Sequence, residues 1–280
     1  MLTWFPSPYP DELFYSVLCR YYLSSGIKEH YLVKKQLFGN RVGIKMATLY
    51  PNAAVHAVLS QLPEGVFDGR NVILHHTPFA YYTRMYPATE REALLNDLLQ
   101  GRGKTPTHLW RTFPKEDYAL RYCPLCIQED TQIYGEPYYH VEHQIPLSSV
   151  CVRHRCRLKQ IDVDNPRLAL NNRFYPLGTV ETDRETDMDA APAELRVSEL
   201  VREYWRLPAS ISPPACNNLY QTLLNSGYRT IVRQTGLNID RAKLYAALCG
   251  YHEAETAERV FGENISGTMM NRIKTWEQLL

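Results

Sequence analysis

Two short pairs of soft metal ligands restrict this chain more than any other feature it carries. They are Cys123-Pro-Leu-Cys126 and Cys151-Val-Arg-His154. In each pair two residues separate the ligands, and a tight turn converts that spacing into two side chains aimed at one ion. A lone buried cysteine packs like a small hydrophobe, but that reading does not account for two pairs of matched spacing. The pattern predicts one structural Zn2+ held by Cys123, Cys126, Cys151 and His154. Four protein ligands fill a tetrahedral shell and leave no open position for catalysis. The fourth ligand is the least fixed. Cys156 follows His154 by two residues, and His140 and His143 lie between the pairs. His154 is kept because its spacing repeats that of the first pair.

Length and composition set wider bounds. A chain of 280 residues, 45% hydrophobic and 22% charged, can bury a core and divide into two or three units. Its net charge of +1 makes no global demand for a polyanionic partner. Locally the balance differs: residues 151–173 hold six basic residues against two acids, and residues 181–199 hold seven acids against two arginines. Of the seven cysteines, Cys19, Cys156, Cys216 and Cys249 are scattered and suggest no disulfide framework. The start Met-Leu-Thr-Trp-Phe-Pro resembles no signal peptide, and no apolar run approaches the ~20 residues of a membrane span. The expected compartment is a reducing bacterial cytoplasm, near the nucleoid, with no membrane partner.

The fold class expected is mainly α, in several domains, with a small zinc-ribbon or zinc-finger β element. Residues 1–118 read as a helical domain. Pro6, Pro8 and Pro10 hold an extended lead-in, and Pro10, Asp11 and Glu12 suit a first helical turn. Leu13, Val17 and Tyr21 then share a face, and Gly26 ends the helix. Further helices are expected over 31–38, 53–62 and 90–99. His75 and His76, unaccompanied by HExxH, a nucleophile turn or a glycine-rich phosphate loop, read as satisfied imidazoles at a helix start. No catalytic residue is assigned, and a zinc enzyme is the weakest of the readings.

Residues 119–160 form the zinc module, in which the alternation of Tyr138 to Ile145 predicts a short strand. So small a unit draws most of its folding free energy from the metal, on the order of 10 kcal/mol or more. Residues 161–199 read as an irregular acidic connector with one strand over 173–177 and a solvated acidic face. Residues 200–280 return to helical periodicity over 195–207, 219–224 and 239–249. Glycine stops between these pieces fit a helix-turn-helix-like DNA-binding region. For DNA, Arg153, Arg155, Arg157 and Lys159 alternate along what reads as an extended segment, which would set them in a row against phosphates. Arg229, Arg233, Arg241 and Lys243 are the candidates for reading bases.

Three stretches together resemble one family. Phe5-Pro6-x-Pro8-Tyr9-Pro10-Asp11-Glu12-Leu13-x-Tyr15-Ser16-x-Leu18-x-Arg20 resembles the amino-terminal signature of the TniQ/TnsD family of transposon target-selection proteins. Phe38-Gly39-Asn40-Arg41 and His76-Thr77-Pro78-Phe79-x-Tyr81 resemble its TnsD branch. Tyr122-Cys123-Pro124-x-Cys126, Gly135-Glu136, Pro146, Cys151, His154 and Leu158 are similar to its zinc element. The resemblance is looser over 217–276. It implies a non-catalytic adaptor that binds double-stranded target DNA and recruits an AAA+ ATPase, which engages the transposase. Shorter relatives instead join a CRISPR RNA-guided complex and read no sequence themselves. Full-length TnsD-type members are longer, so a truncated or short member is expected. The tryptophan often found between the knuckles is absent, with Tyr138 and Tyr139 on that ground. The aromatic-rich amino-terminal segment supplies a candidate ATPase-docking surface, comprising Trp4, Phe5, Tyr9, Arg20, Tyr21 and Tyr22.

Overall fold

Apolar residues at helical spacing become helices wherever a glycine or a polar cap closes them. The computed structural model describes residues 2–39, 46–47, 49, 52–63, 65, 67–84, 86, 88–102, 119–207, 229–232 and 236–239. Among these, α1 spans Phe14–Ser25, α2 His30–Phe38, α3 Ala54–Leu59, α4 Gly69–His75, α5 Phe79–Thr83 and α6 Ala88–Leu99. Then follow β1 (Arg121–Tyr122), α7 (Pro124–Tyr134), α8 (Val141–Gln144), β2 (Lys159–Gln160), α9 (Pro166–Asn172) and α10 (Pro192–Arg206). The expected mainly helical class with little sheet is what the structure shows. Gly26 closes α1 with φ +68°, the left-handed conformation that a side chain would resist.

The first helix starts later than its acids suggest. Asp11 sits at φ +59°, so α1 begins at Phe14, and Glu12 is buried in front of it rather than lying in its first turn. The backbone here is committed elsewhere. Leu13 N–H donates to the Tyr139 carbonyl at 2.7 Å, and Val141 N–H donates to the Asp11 carbonyl at 2.8 Å. This two-bond bridge corrects the strand expected over 138–145. The segment is strand-like only where residues 11–13 pair with it, and Val141–Gln144 then turns into α8.

The strand expected over 173–177 is also absent, and its backbone is satisfied by tyrosine hydroxyls. Tyr15 OH donates to the Arg173 carbonyl (2.8 Å) and accepts from Tyr175 N–H (3.1 Å), while Tyr139 OH donates to the Tyr175 carbonyl (2.9 Å). Residues 161–199 are thus not merely a connector. They carry α9, and Leu170, Phe174 and Leu177 lie in the same apolar core as Leu13, Phe14, Val17 and Leu18 of the amino-terminal part. Tyr139, Val141 and Ile145 of the zinc module join that core, as do Val201 and Trp205 of α10. Each fully buried side chain of this size contributes roughly 1.5–3 kcal/mol.

In the carboxy-terminal region, Arg229–Val232 (β3) and Gly236–Ile239 (β4) pair antiparallel, Arg229 opposite Ile239. The helix expected over 195–207 is present as α10, and the two strands lie between the helices expected over 219–224 and 239–249, so Arg229 lies on a strand. Arg233, Arg241 and Lys243 lie outside the described residues, as does the expected helix-turn-helix. Among the described residues no helix is long and apolar enough to cross a membrane.

Candidate metal centre

The cysteine pairs meet because their flanking backbone pairs. β1 and β2 form a two-stranded antiparallel ladder with Arg121 opposite Gln160 and Tyr122 opposite Lys159, and an isolated bridge joins Val150 to Arg157. Cys123 caps the amino terminus of α7, its Sγ accepting from Cys126 N–H at 3.4 Å, with Pro124 at the first helical position. A thiolate is favoured there by the helix dipole.

One ligand atom from each of Cys123, Cys126, Cys151 and His154 lies within 4.8 Å of the other three. The Cys126 and Cys151 sulfurs are 3.8 Å apart, and His154 Nδ1 is 3.5, 3.3 and 3.6 Å from Cys123, Cys126 and Cys151. Tetrahedral zinc with Zn–S of about 2.3 Å and Zn–N of about 2.0 Å needs donor separations of about 3.5–3.8 Å. The donor set therefore fits a metal ion of that size, and three buried thiols with one imidazole favour zinc among the common ions. Without a cation the thiols cannot all ionise. Hydrogen bonds from the thiols of Cys126 and Cys151 pull Cys123 down, and a first thiolate on Cys123 pushes Cys126 up. A divalent cation removes that conflict.

Of the rival fourth ligands His140 is held by two carboxylates, while His143 and Cys156 lie beside the group of four but outside it. His140, buried, sits between Asp130 Oδ2 at 2.9 Å and Asp11 Oδ2 at 3.4 Å. Burial pulls its imidazole down, but the two carboxylates outweigh burial and hold it up at about 10. His143 is fully buried and held neutral by desolvation, its Nε2 4.0 Å from Cys126 Sγ and outside the group of four. Cys156 is buried with its Sγ 3.3 Å from Cys123 Sγ. It stands beside one ligand rather than among all four.

Sequence reasoning missed the residues behind the ligands. His154 turns Nε2 toward Glu129 Oε2 at 3.4 Å, and Arg153 Nη2 holds the other oxygen of Glu129 at 2.5 Å. A carboxylate behind a ligating imidazole fixes its tautomer and orientation. Glu129 lies 25 residues from His154 and three beyond Cys126 on α7, a relation no spacing rule marks.

Arg153 is therefore tied to the metal centre, and the expected row of cations is not a row. Arg155 has φ +56° in the turn after Cys151, so the segment is not extended there. Arg157 pairs with Asp187 (3.0 Å) and with the buried Glu194 (2.9 Å), and Lys159 pairs with Asp183. Arg155 is exposed and carries no side-chain ion pair among the described residues. The acidic run is correspondingly not a merely solvated face. Its carboxylates lie along the basic ribbon, and Arg157 N–H donates to the Asp187 carbonyl.

The amino-terminal residues assigned to a partner are largely turned inward. Phe5 and Tyr21 are buried. Arg20 donates to Glu136 (2.7 Å) and to the buried Glu12 (2.9 Å), with its guanidinium 3.7 Å over the Tyr9 ring. Tyr9 also packs on Tyr134 and Tyr138, and Tyr22 stacks on both His30 and Phe174, which also touch each other. Only Trp4 of the six is classed as exposed, at 52%, stacked on Tyr21. His76 is satisfied as expected, donating from Nδ1 to the Glu12 carbonyl, but at the exit of α4 rather than at a helix start.

A family model described as TniQ matches residues 3–158, which spans the amino-terminal helices and the whole Cys/His cluster. The chain is also similar to the transposon Tn7 transposition protein TnsD of Escherichia coli, 27% identical over 184 residues. That alignment covers 63% of this chain and 35% of the relative, so the chain spans about a third of that protein's length.

Proposed function

The chain belongs to the TniQ family, and we propose that it selects insertion sites for a DNA transposition system, binding target DNA and recruiting an AAA+ ATPase. The observation that supports this most is the extent of the family match, which runs through all four metal donors to residue 158. The relative's name assigns it to transposition. A closed shell of three sulfurs and one imidazole supports a structural metal and an adaptor without catalysis of its own.

DNA contact on this reading falls to cations that the protein does not already neutralise. Arg155 beside the metal centre is one among the described residues, and the candidates for base contacts stay those of the sequence, Arg229, Arg233, Arg241 and Lys243. ATPase docking falls to the exposed indole of Trp4, because Phe5, Tyr9, Arg20 and Tyr21 hold the core and the zinc module together. A gel-shift series with zinc-loaded protein, on attachment-site and random duplexes at several salt concentrations, tests the first half. The expected result is binding that weakens steeply with salt and prefers one duplex. Absence of duplex binding at low salt overturns the DNA-reading role, and capture by an RNA-guided complex instead would mark a protein-only adaptor.

A further inference from the structure

Two thiols face each other at the edge of the metal centre, and only one of them belongs to its donor set. Cys156 Sγ lies 3.3 Å from Cys123 Sγ, nearer than the 3.8 Å between the donors Cys126 and Cys151. Both Cys123 and Cys156 are wholly buried. The turn that carries the second knuckle fixes this approach. Cys151 N–H donates to the Cys156 carbonyl at 2.8 Å, and Arg155 N–H donates to the Cys151 carbonyl at 2.7 Å. Val150 bridges to Arg157 just outside them. Cys156 thereby turns inward while Arg155 stays exposed. On the opposite side Cys123 is held at the cap of α7 by the N–H of Cys126. A disulfide sets its sulfurs about 2.0 Å apart, so these two stand roughly 1.3 Å short of a bond. A buried cysteine can serve packing alone, but packing does not require its sulfur to touch that of a metal donor.

From this geometry we propose that Cys123 and Cys156 form a reversible disulfide when a peroxide reaches the centre, with Cys156 as the resolving thiol and loss of the metal ion as the result. The thiolate of Cys123 attacks one peroxide oxygen, the O–O bond breaks, and hydroxide leaves. Cys123 is now a sulfenic acid, oxidised by two electrons. Cys156 Sγ attacks that sulfur, the S–O bond breaks, and the departing hydroxide takes the Cys156 proton to become water. One peroxide is thus reduced for each disulfide formed. Cys123 then supplies no thiolate, and Cys126, Cys151 and His154 remain as three donors. A thiol reductant reverses the bond by exchange and restores the fourth. Left without a neighbouring thiol, a sulfenic acid meets a second peroxide and becomes sulfinic acid, which thiol reductants do not recover. Holding Cys156 in contact sets bond formation ahead of that loss. Of the four donors only His154 is not buried, its side chain 19% exposed, so a small oxidant enters on that side. The pair acts through the four-donor centre and is independent of any role in target selection.

The test exposes the zinc-loaded full chain to hydrogen peroxide and reads released zinc with a chromogenic chelator. Samples are quenched with acid and a thiol-blocking reagent, and the disulfide is located by fragmentation mass spectrometry. One Cys123–Cys156 bond per zinc released is expected, and dithiothreitol with added zinc should restore most of the metal. Cys156→Ser and Cys156→Ala should load zinc as before. After peroxide and dithiothreitol, however, their recovered zinc should fall several-fold, with Cys123 found as sulfinic acid. Retention of zinc through the treatment, release with a different cysteine pair bonded or with no disulfide, or equal recovery in the variants would each overturn the proposal. The mapping uses the unaltered chain, so it decides the question even where a variant fails to fold. A chain that takes up no zinc before peroxide is added overturns the metal centre and the switch together. A loaded chain that loses zinc without this bond overturns the switch alone.

Discussion

Cys156 shows how finely a ligand set can be divided. Its sulfur is 3.3 Å from Cys123 Sγ, yet it is not mutually close to the other donors. Its thiol is placed to donate to the Cys123 thiolate rather than to bind metal itself. Cys123→Ser and Cys151→Ser should therefore lose the metal and the fold, seen by metal analysis and circular dichroism. Cys156→Ser should keep one zinc per chain. Glu129→Gln should lower metal affinity about 10- to 100-fold by releasing the imidazole of His154. Chelator competition would measure it, and an unchanged affinity would remove Glu129 from the centre. The ligands themselves were legible because two-residue spacing is a local property. Glu129 and Arg153 were not, because their service to His154 exists only after α7 has folded against the second knuckle. His140 adds a pH dependence. Its folded pKa of about 10 lies above the ordinary imidazole value, so its ion pairs stabilise fully below about pH 6.5. That contribution fades as pH rises through about 10. Thermal melts from pH 6 to 10 should show a fall that His140→Gln reduces, and parallel curves for the two proteins would refute it.

The basic ribbon and the acidic run illustrate what charge tallies convey about segments and what they omit. Both runs could be counted directly. Their pairing could not, since Lys159 meets Asp183 and Arg157 meets Asp187 and Glu194 only through the turn of the chain after β2. The consequence for DNA is quantitative. Four unpaired cations on phosphates would change a log–log salt slope by about 3–4. With Arg153, Arg157 and Lys159 already matched by carboxylates, replacing all four with alanine should flatten the slope by only about 1. A change of 3 or more would show that the carboxylates release the ribbon on binding. The helices were more readable. The periodicity over 195–207 puts Leu200, Tyr204 and Leu207 on one face, but the residues of α10 that reach the core are Val201 and Trp205, one position over from Leu200 and Tyr204, while Leu200 stays exposed. Periodicity finds a helix more readily than it finds which side a neighbour will cover.

Across the full set of described residues, the divisions at 118 and 160 are crossed by one core and by polar bridges. Arg20 to Glu136, Tyr9 to Glu136, Asp11 to His140 and Ser16 to the Tyr139 N–H all join the amino-terminal signature to the zinc module. Glu12 lies at the middle of this junction, where burial raises its carboxyl to about 7 against the opposing pull of Arg20. Deleting residues 1–10 would remove Tyr9 and buried Phe5, so it should lower thermal stability and cannot isolate a docking surface. Trp4→Ala is the cleaner probe, expected to weaken ATPase pull-down while zinc content and melting temperature hold. Unchanged recruitment would move the dock to another face.

Through the bridge between residues 11–13 and 139–141, a metal ion held by the four donors would also stabilise helices it never touches. At a free zinc concentration a thousand times the dissociation constant, binding stabilises the folded chain by about 4 kcal/mol. Because α1 leans on Tyr139 and Val141, that free energy is drawn on by α1 as well as by the knuckles. Amide protons of α1 should then lose protection from hydrogen exchange in step with chelation, and calorimetry should record one cooperative transition rather than two. Zinc supply would thereby gate the presence of the amino-terminal helices, and with them any partner they engage.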